Sequence, residues 1–298
     1  MNSAIHPLAP CNNAQLQSVV QVIVKAVHPE HIFLLGACYT RQQLYNIFSD
    51  AVTACQQVTH YDLLVLLDKD HRNPDEVQDI IENRCRAHTP VTVIVFDIIR
   101  FNGLLESGHA FCCDARTSAL QVYDAGRTKL AQPNPCNPAS LQLQARNAFS
   151  KWHNVAQEFL AGAELYLMRK QFALAAFMLH QAAERSYVEL VQVMTGYRAG
   201  THNLDKLSRY AKSFSANVSL VFPRNNEKEE RLFRQLQKAY IHSRYKDDYV
   251  VTAQEVQELM DRVKKLLELA GEICERKIAG MGEKQTVDAE LMCIGKAV

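Results

Sequence analysis

The sequence predicts an α+β protein of two domains, an α/β sheet domain followed by an all-α up-and-down helical bundle. Three observations carry this prediction: apolar runs of strand length in the first half, helical spacing alone in the second half, and a proline-rich segment between them. A chain of 298 residues exceeds the usual size of one domain, and each half is long enough to bury its own core. The predicted limits are 1–132 for the sheet domain, 140–279 for the bundle and 280–298 for a tail.

The first half contains short β-rich apolar runs at 31–37, 61–68 and 91–98, and a fourth candidate strand at 120–126 that ends at a glycine turn. Polar segments with helical spacing separate these runs. Strands that are apolar almost throughout are buried on both faces, so we expect a sheet covered by helices on at least one face.

The boundary lies in residues 128–140, which hold Pro133, Pro135 and Pro138. Proline fixes φ, removes a hydrogen-bond donor and keeps the preceding residue out of the helical region. This segment is therefore predicted to be a linker or an irregular crossover.

The second half has the apolar period of helices. In 252–278 the apolar positions recur every three and four residues, and Thr252 with Glu255 matches a capping box at the start. Similar stripes cover 150–169, 171–195 and 227–243, and 203–213 adds a shorter helix. Four main helices with short connections predict an antiparallel bundle. The tail after residue 279 shows no sustained stripe.

Composition narrows the class of protein. The formal charge of +1 gives no general attraction to nucleic acid. Nine cysteines form an odd set without CxxC spacing, which is typical of reduced thiols. The N-terminus lacks the pattern of a signal peptide, and no apolar run approaches the roughly 18 residues of a membrane span. We expect a cytoplasmic protein with no membrane association.

The order of strand, Gly36-containing turn, helix and "HYDLLVLLD" (60–68) resembles the minimal nucleotidyltransferase domain of the polymerase-β-like superfamily. In that family a Gly-Ser turn at a helix start grips the triphosphate. An Asp-x-Asp pair on the next strand and a third carboxylate hold two Mg²⁺ ions, which offset the charge that phosphoryl transfer builds.

This chain lacks most of those groups. Ala37 replaces the serine, His60 stands at the first acid and Thr92 at the third, where Asp97 is the nearest acid. Asp62 is the one definite carboxylate, which is too little charge for two Mg²⁺ ions. The sequence therefore predicts a scaffold in which Asp62 caps a backbone or pairs with a basic group.

Two alternatives stay open for this domain. Backbone N–H groups at the Gly36 turn would still bind a nucleotide without chemistry. A residual transferase would instead use Asp62 and Asp97 as catalytic acids, with Asp62 a weak metal ligand.

Three separated elements of the second half resemble the HEPN domain, a helical bundle named for nucleotide binding in higher eukaryotes and prokaryotes. They are "HQAAE" (180–184), "THNLDKL" (201–207) and "AYIHSRY" (239–245). Nucleotidyltransferase-like and HEPN domains recur as neighbours or fusions in prokaryotes. The resemblance implies a homodimer formed through helix faces of the bundle.

Catalytic HEPN proteins are metal-independent RNases with an Arg-x(4–6)-His motif. Counted from Arg244, positions 249–251 are Tyr, Val and Val, so no histidine has the required spacing. His242 lies two residues before the arginine, on roughly the opposite side of a helix. Tyr249 has the spacing, but a phenol with a pKa of about 10 is a poor base. The stretch "HSRYKDDY" (242–249) resembles instead the non-nucleolytic HEPN group.

In that group the arginine and tyrosine, here Arg244 and Tyr245, either hold a nucleotide phosphate and base or fix the turn into the last helix. Arg244 at a helix C-terminus also bonds free carbonyls, worth about 0.3–1 kcal/mol. Asp247 or Asp248 is expected to pair with Arg244 or Lys246. The resemblance adds further candidate ligand residues: His180, Glu184, His202 and Tyr249. His180 and Glu184 are one turn apart and are expected to bond each other.

The resulting hypothesis is a nucleotide- or partner-binding protein, in which an eroded nucleotidyltransferase-like domain is fused to a non-nucleolytic HEPN domain. ATP or GTP is the expected nucleotide, and Mg²⁺ is not expected. RNA is a weaker candidate, through the arginines of the charge-dense helix start at 224–234. The alternatives are a residual nucleotidyltransferase, an atypical HEPN RNase, or a toxin–antitoxin descendant whose first domain masks the second.

Overall fold

The structure, a computed structural model, describes residues 13–46, 49–68, 73–245 and 249–294. It divides into two compact units, Met1–Pro135 and Cys136–Val298. We call them the sheet unit and the helical unit.

The sheet unit contains four helices and four strands in its described part. In chain order they are α1 (Asn13–Val27), β1 (His31–Asn46), β2 (Ser49–Leu67), α2 (Pro74–Cys85), β3 (Val91–Asp97), α3 (Ile98–Glu106), α4 (Ala110–Ser118) and β4 (Leu120–Asp124). The strand order is β3-β2-β1-β4. Strands β2 and β3 are parallel and are connected through α2, whereas β1 pairs antiparallel with both β2 and β4.

The segment between the first two predicted strands corrects the sequence prediction. We expected a turn at Gly36 and then a helix, but β1 continues through Gly36 to Asn46 and forms a long hairpin with β2. Its central residues include Tyr39, Thr40 and Val58, which are β-branched or aromatic types that favour strands. No helix starts between Gly36 and the end of β2 in the described residues, so the helix start on which the anion site at Gly36 was predicted is absent there.

Both faces of the sheet are covered, because successive strand residues point to opposite sides. One set, including Leu63, Val65 and Val93, packs with Ile23 of α1 and Ile81 of α2. The alternate set includes Phe96, whose ring contacts those of Phe101 in α3 and Phe111 in α4. The expectation of a sheet layered by helices is confirmed at this coarse level.

The helical unit contains six helices in its described part: α5 (Pro138–Met168), α6 (Phe172–Thr195), α7 (Leu204–Lys212), α8 (Ala216–Val221), α9 (Glu227–Tyr245) and α10 (Ala253–Ile294). The long ones, α5, α6, α9 and α10, correspond to the four predicted stripes. Helix α8 was not predicted. The predicted capping box is present, because Thr252 N donates to Glu255 Oε2 at 2.9 Å and Glu255 N donates to Thr252 Oγ1 at 3.2 Å.

Helix α6 is the central helix of the unit and is buried along most of its length. Ala175, Ala176, Ala182 and Ala183 have no exposed surface, and their small side chains let neighbouring helices approach closely. Such burial forces its polar side chains to find partners inside the protein. Helix α6 therefore positions most of the polar chemistry described below.

The end of the chain departs from the prediction of a tail beginning at residue 280. Helix α10 runs through this point to Ile294 and is 42 residues long. Residues 280–294 contain only Gly280 and Gly282 as helix-breaking types and no proline, so the backbone can continue a helix without an apolar stripe.

None of the described helices is both long and apolar enough to cross a bilayer.

Candidate functional site

In the sheet unit, Asp62 lies on β2 opposite Gly36 of β1 and Thr92 of β3. Its Oδ1 is 3.5 Å from His60 Nε2, and the same imidazole nitrogen is 2.7 Å from Thr92 Oγ1. A Cβ added at Gly36 would lie 3.4 Å from Asp62 Oδ2, so the glycine leaves room for this carboxylate. Asp62 thus lies beside a basic side chain.

Asp97, the other candidate acid, lies at the far end of the same pair of strands. Its register partner is Leu67, five residues along β2 from Asp62, which corresponds to about 16 Å at the rise of a strand. Its Oδ1 accepts from Ile99 N at 2.9 Å and Arg100 N at 3.0 Å, which caps helix α3. Asp62 and Asp97 do not converge on one ion, so their predicted pairing in a transferase site is wrong. Among the residues with assigned positions, no cluster of three His, Cys, Asp or Glu side chains is arranged to hold a metal ion.

In the helical unit, the buried carboxylate of Glu184 on α6 joins several predicted site residues. It is 1% exposed. His202 Nδ1, from the segment before α7, is 3.0 Å from Glu184 Oε2, and Arg185 Nη1 is 3.2 Å from Oε1. His180 Nε2 is 3.6 Å from Oε2, slightly beyond hydrogen-bond distance, while its Nδ1 donates to Leu236 O at 3.0 Å.

These neighbours keep Glu184 ionised. Burial alone would raise the pKa of its carboxyl, but the contacts from His180, Arg185 and His202 outweigh it and leave the pKa below the ordinary value of 4.5. Glu184 is therefore a buried anion that holds the more exposed side chains of His202 and Arg185 in place.

The ring of Tyr240 on α9 joins the buried and exposed parts of this cluster. It stacks on His202 with centroids 4.7 Å apart and an interplanar angle of 18°, and on His180 with centroids 5.2 Å apart. His180 is fully buried, whereas the side chain of His202 is 50% exposed. His180 is accordingly a positioning group, and only His202 of the two histidines can meet a ligand directly.

Arg244 lies one turn further along α9. Its Nε donates to Tyr240 O at 2.8 Å, so it bonds a C-terminal helix carbonyl as predicted. Its guanidinium carbon is 4.7 Å from the Tyr240 ring centroid and 5.0 Å from that of Phe177, distances at which a cation attracts a ring face. Within the described residues its terminal nitrogens make no hydrogen bond or ion pair. We call His202, Tyr240 and Arg244 the Tyr240 surface.

The other predicted contacts around Arg244 divide into two kinds. Tyr245 is 74% exposed and its ring centroid is 5.0 Å from the Arg244 guanidinium. Tyr249 does not face a ligand: its hydroxyl donates to Gln235 O at 3.0 Å and burial raises its pKa, so it fixes the turn between α9 and α10. Its assignment as a ligand contact is therefore wrong. The expected pairing of Asp247 or Asp248 lies outside the described residues.

Sequence reasoning missed two members of this site, Tyr240 and Arg185. Tyr240 precedes Arg244 by four residues, a spacing that places both on one helix face and that was available as a signal. Arg185 had no such signal. It lies beside Glu184 in sequence, and its role depends on Trp152 of α5, whose ring centroid is 5.2 Å from its guanidinium carbon.

Trp152 is itself surrounded by cations. Lys151 Nζ is 4.7 Å and the Arg198 guanidinium carbon 5.2 Å from its ring centroid, and its Nε1 donates to Gln192 Oε1 at 2.8 Å. These contacts tie the start of the bundle to the end of α6.

A second buried carboxylate, Glu189, lies five residues further along α6. Its Oε1 and Oε2 are each 3.3 Å from His153 Nδ1 of α5, and it also contacts the thiol of Cys274 on α10. Burial raises the pKa of Glu189 to about 8 and lowers the pKa of His153. Burial thus favours the uncharged forms of both Glu189 and His153. No prediction from the sequence included this network.

The fold and site define a class: an antiparallel helical bundle in which a central helix holds a buried anion beneath histidine, tyrosine and arginine side chains. The family profile of the HEPN domain matches residues 149–274. The chain thus contains a HEPN domain within its helical unit.

The crystal structure of TT1696 from Thermus thermophilus is similar to this chain, with 24% identity, 45% of this chain and 98% of that chain covered, and a TM-score of 0.30. No curated protein matches the chain.

Proposed function

We propose that the helical unit binds a nucleotide on the Tyr240 surface and does not cleave RNA. The observation that carries this proposal is the exposed Arg244 guanidinium, which lies 4.7 Å from the Tyr240 ring that also stacks on half-exposed His202. A cation beside stacked rings matches the two chemical parts of a nucleotide, its phosphate and its base.

Each part of the surface has a role in this proposal. The planar guanidinium of Arg244 presents paired donors that suit phosphate oxygens. His202 and the neighbouring, exposed Tyr245 offer rings on which a base stacks, worth about 1–3 kcal/mol per base. Glu184 fixes the imidazole of His202, which reduces the side-chain entropy lost on binding.

Two of the groups near Arg244 that could act as a base are not accessible to a substrate. A general base must reach a proton of the substrate at hydrogen-bond distance. His180 is fully buried, and the hydroxyl of Tyr249 is bonded to Gln235 O. Burial also raises the pKa of Tyr249, which makes that phenol still less able to ionise and act as a base at neutral pH.

For the sheet unit we propose a nucleotidyltransferase-like scaffold that performs no transfer. The separation of Asp62 from Asp97 along β2 and β3 supports this, because two-metal transfer needs convergent carboxylates. The helix cap formed by Asp97 supports it further, since that carboxylate already accepts two backbone N–H groups.

We propose as well that two copies pair through the helical unit. Three large hydrophobic side chains close to Arg244 in sequence are 53%, 74% and 72% exposed, namely Ile241, Tyr245 and Val250. Exposed hydrophobic side chains favour association. Sedimentation equilibrium of the full chain should give the mass of a dimer, and a monomer mass at all concentrations contradicts the pairing.

The binding test is calorimetric titration of the full chain with ATP and GTP, with and without Mg²⁺. We expect one of the two nucleotides to bind, and Arg244→Ala to weaken its affinity by about tenfold or more. Arg276→Ala is the matched control, because Arg276 Nε on α10 makes the same bond to a carbonyl four residues earlier, Glu272 O at 3.2 Å. This control should leave the affinity unchanged.

Three outcomes contradict the proposal. No binding of either nucleotide removes the ligand, and equal loss in both arginine variants removes the role of the Tyr240 surface. Cleavage of single-stranded RNA without metal, abolished by Arg244→Ala, would establish an RNase instead.

A further inference from the structure

A groove between α7, α8 and the segment that leads into α9 contains a cluster of charges not used by the Tyr240 surface. Its volume is about 370 Å³, which is at the lower end of the sizes of small-molecule sites. We call it the α7–α8 groove. It shares no residue with the Tyr240 surface.

One wall of the groove is cationic. Arg224 Nη1 contacts Asp205 Oδ1, and Arg209 Nη2 is 3.6 Å from Asp205 Oδ2. Lys212 also lines the groove, and no ion pair of Lys212 is found in the described part of the chain. Asp205 is the one acid among the described lining residues, so three cations face a single carboxylate and the wall carries an excess of two positive charges.

The cations are held in position. The Arg224 guanidinium carbon is 3.9 Å from the ring centroid of Phe233, a contact that fixes its plane. Tyr187 at the floor of the groove is 1% exposed, and burial raises its pKa, so its hydroxyl keeps its proton. Side chains fixed before a ligand arrives lose little entropy when it binds.

Apolar side chains line another part of the groove. Leu220 of α8 is 65% exposed, and Phe222 and Pro223 line the groove beside it. A leucine this exposed next to a charged wall gives the groove two unlike sides. A ligand that satisfies both sides carries an anionic group and an apolar body.

We infer that the α7–α8 groove binds a small organic phosphomonoester. Phosphate fits the cationic wall, because two guanidinium groups and an ammonium supply several donors and the charge to offset a dianion. The organic part lies against Leu220, Phe222 and Pro223. Asp205 pairs with both arginines and so offsets part of their mutual repulsion.

The test uses the full chain and phenyl phosphate as the probe, with inorganic phosphate and phenol as comparison ligands in the same calorimetric titration. Phenyl phosphate binds more tightly than either comparison ligand, since each of them lacks one of the two halves. Equal binding of phenol overturns the role of the cations, and equal binding of inorganic phosphate overturns the role of the apolar wall.

The variant is Arg209→Gln with Lys212→Gln, both partly or fully exposed positions whose loss leaves the Arg224–Asp205 contact intact. Its affinity for phenyl phosphate falls by about tenfold. The matched control is Arg234→Gln with Lys238→Gln on α9, which removes the same charge and the same kind of pair, since Arg234 also bonds a carboxylate four residues earlier, Glu230 at 3.5 Å.

The control keeps the affinity of the unchanged chain, and Arg244→Ala does so too because it lies outside the groove. Equal weakening in variant and control, loss of binding in Arg244→Ala, or no saturable binding of phenyl phosphate at millimolar concentration overturns the inference.

Discussion

Helix α6 carries two buried glutamates, Glu184 and Glu189, whose surroundings shift their pKa values in opposite directions. Both are almost fully buried, at 1% and 0% exposure. The pKa of Glu184 is lowered below its ordinary value, whereas that of Glu189 is raised to about 8. Since burial is the same, the partners decide the charge.

The partners differ because the two side chains face different helices. Five residues rotate an α-helix by about 140°, so Glu184 and Glu189 project from different faces. Glu184 meets Arg185 and His202, whose side chains are 22% and 50% exposed. Glu189 meets His153 and the buried thiol of Cys274, and neither offers a stable positive charge.

The largest expected effect is that of Glu184→Gln. Removing the charge leaves Arg185 and the two histidines without their anion, which should destabilise the helical unit by about 3 kcal/mol, the lower end for a broken buried pair because the cations are partly exposed. Urea unfolding followed by circular dichroism measures this at neutral pH.

The pH dependence of the stability of Glu184→Gln provides a second test of this charge. A carboxyl with a lowered folded pKa contributes stability that is present above its unfolded pKa and is lost as pH falls through the folded pKa. The stability difference between the unchanged chain and Glu184→Gln should therefore shrink on acidification below about pH 4.5. A constant difference at all pH values contradicts the assignment of Glu184 as an anion.

Glu189→Gln should have an effect of opposite sign. With a folded pKa of about 8 against an ordinary 4.5, Glu189 makes the unchanged chain lose stability as pH rises between these values. The slope for one proton is about 1.4 kcal/mol per pH unit at most, so at pH 7.5 the glutamine variant should be the more stable. A variant less stable than the unchanged chain at pH 7.5, or one with the same slope, would show that Glu189 is ionised.

The smallest expected effect on stability is that of replacing His202, a neighbour of Glu184. His202→Ala should raise the pKa of Glu184, because His202 lowers it through a hydrogen bond and charge, and should cost about 1 kcal/mol of stability. Carbon-detected NMR titration of the glutamate carboxyls measures the shift. His153→Ala is the matched control, since His153 contacts Glu189 and should leave the titration of Glu184 unchanged.

Local patterns explain how much of this could be predicted from the sequence. The capping box of Thr252 and Glu255 and the bond from Arg244 to a helix carbonyl involve neighbours within one turn, so spacing was sufficient. The helical stripes predicted α5, α6, α9 and α10 for the same reason, because each stripe records the face that one helix buries.

Contacts across the fold could not be predicted in this way. His202 meets Glu184 from a connecting segment, and Asp205 meets Arg224 only after α7 and α8 pack, so neither pair has a periodic signal. The hairpin of β1 and β2 depended on long-range pairing, and the expected helix after Gly36 followed family order, not local preference. Glu189 was overlooked because the sequence does not distinguish a buried glutamate in an apolar helix from an exposed one.

The contacts of Trp152 make this residue a natural optical probe. It is the chain's single tryptophan, and it belongs to the helical unit. Its indole packs on Arg185, the partner of Glu184, and the next residue, His153, contacts Glu189. Tryptophan fluorescence will therefore report the unfolding of the helical unit, because the sheet unit contains no tryptophan. Its emission maximum will also respond to changes at either glutamate.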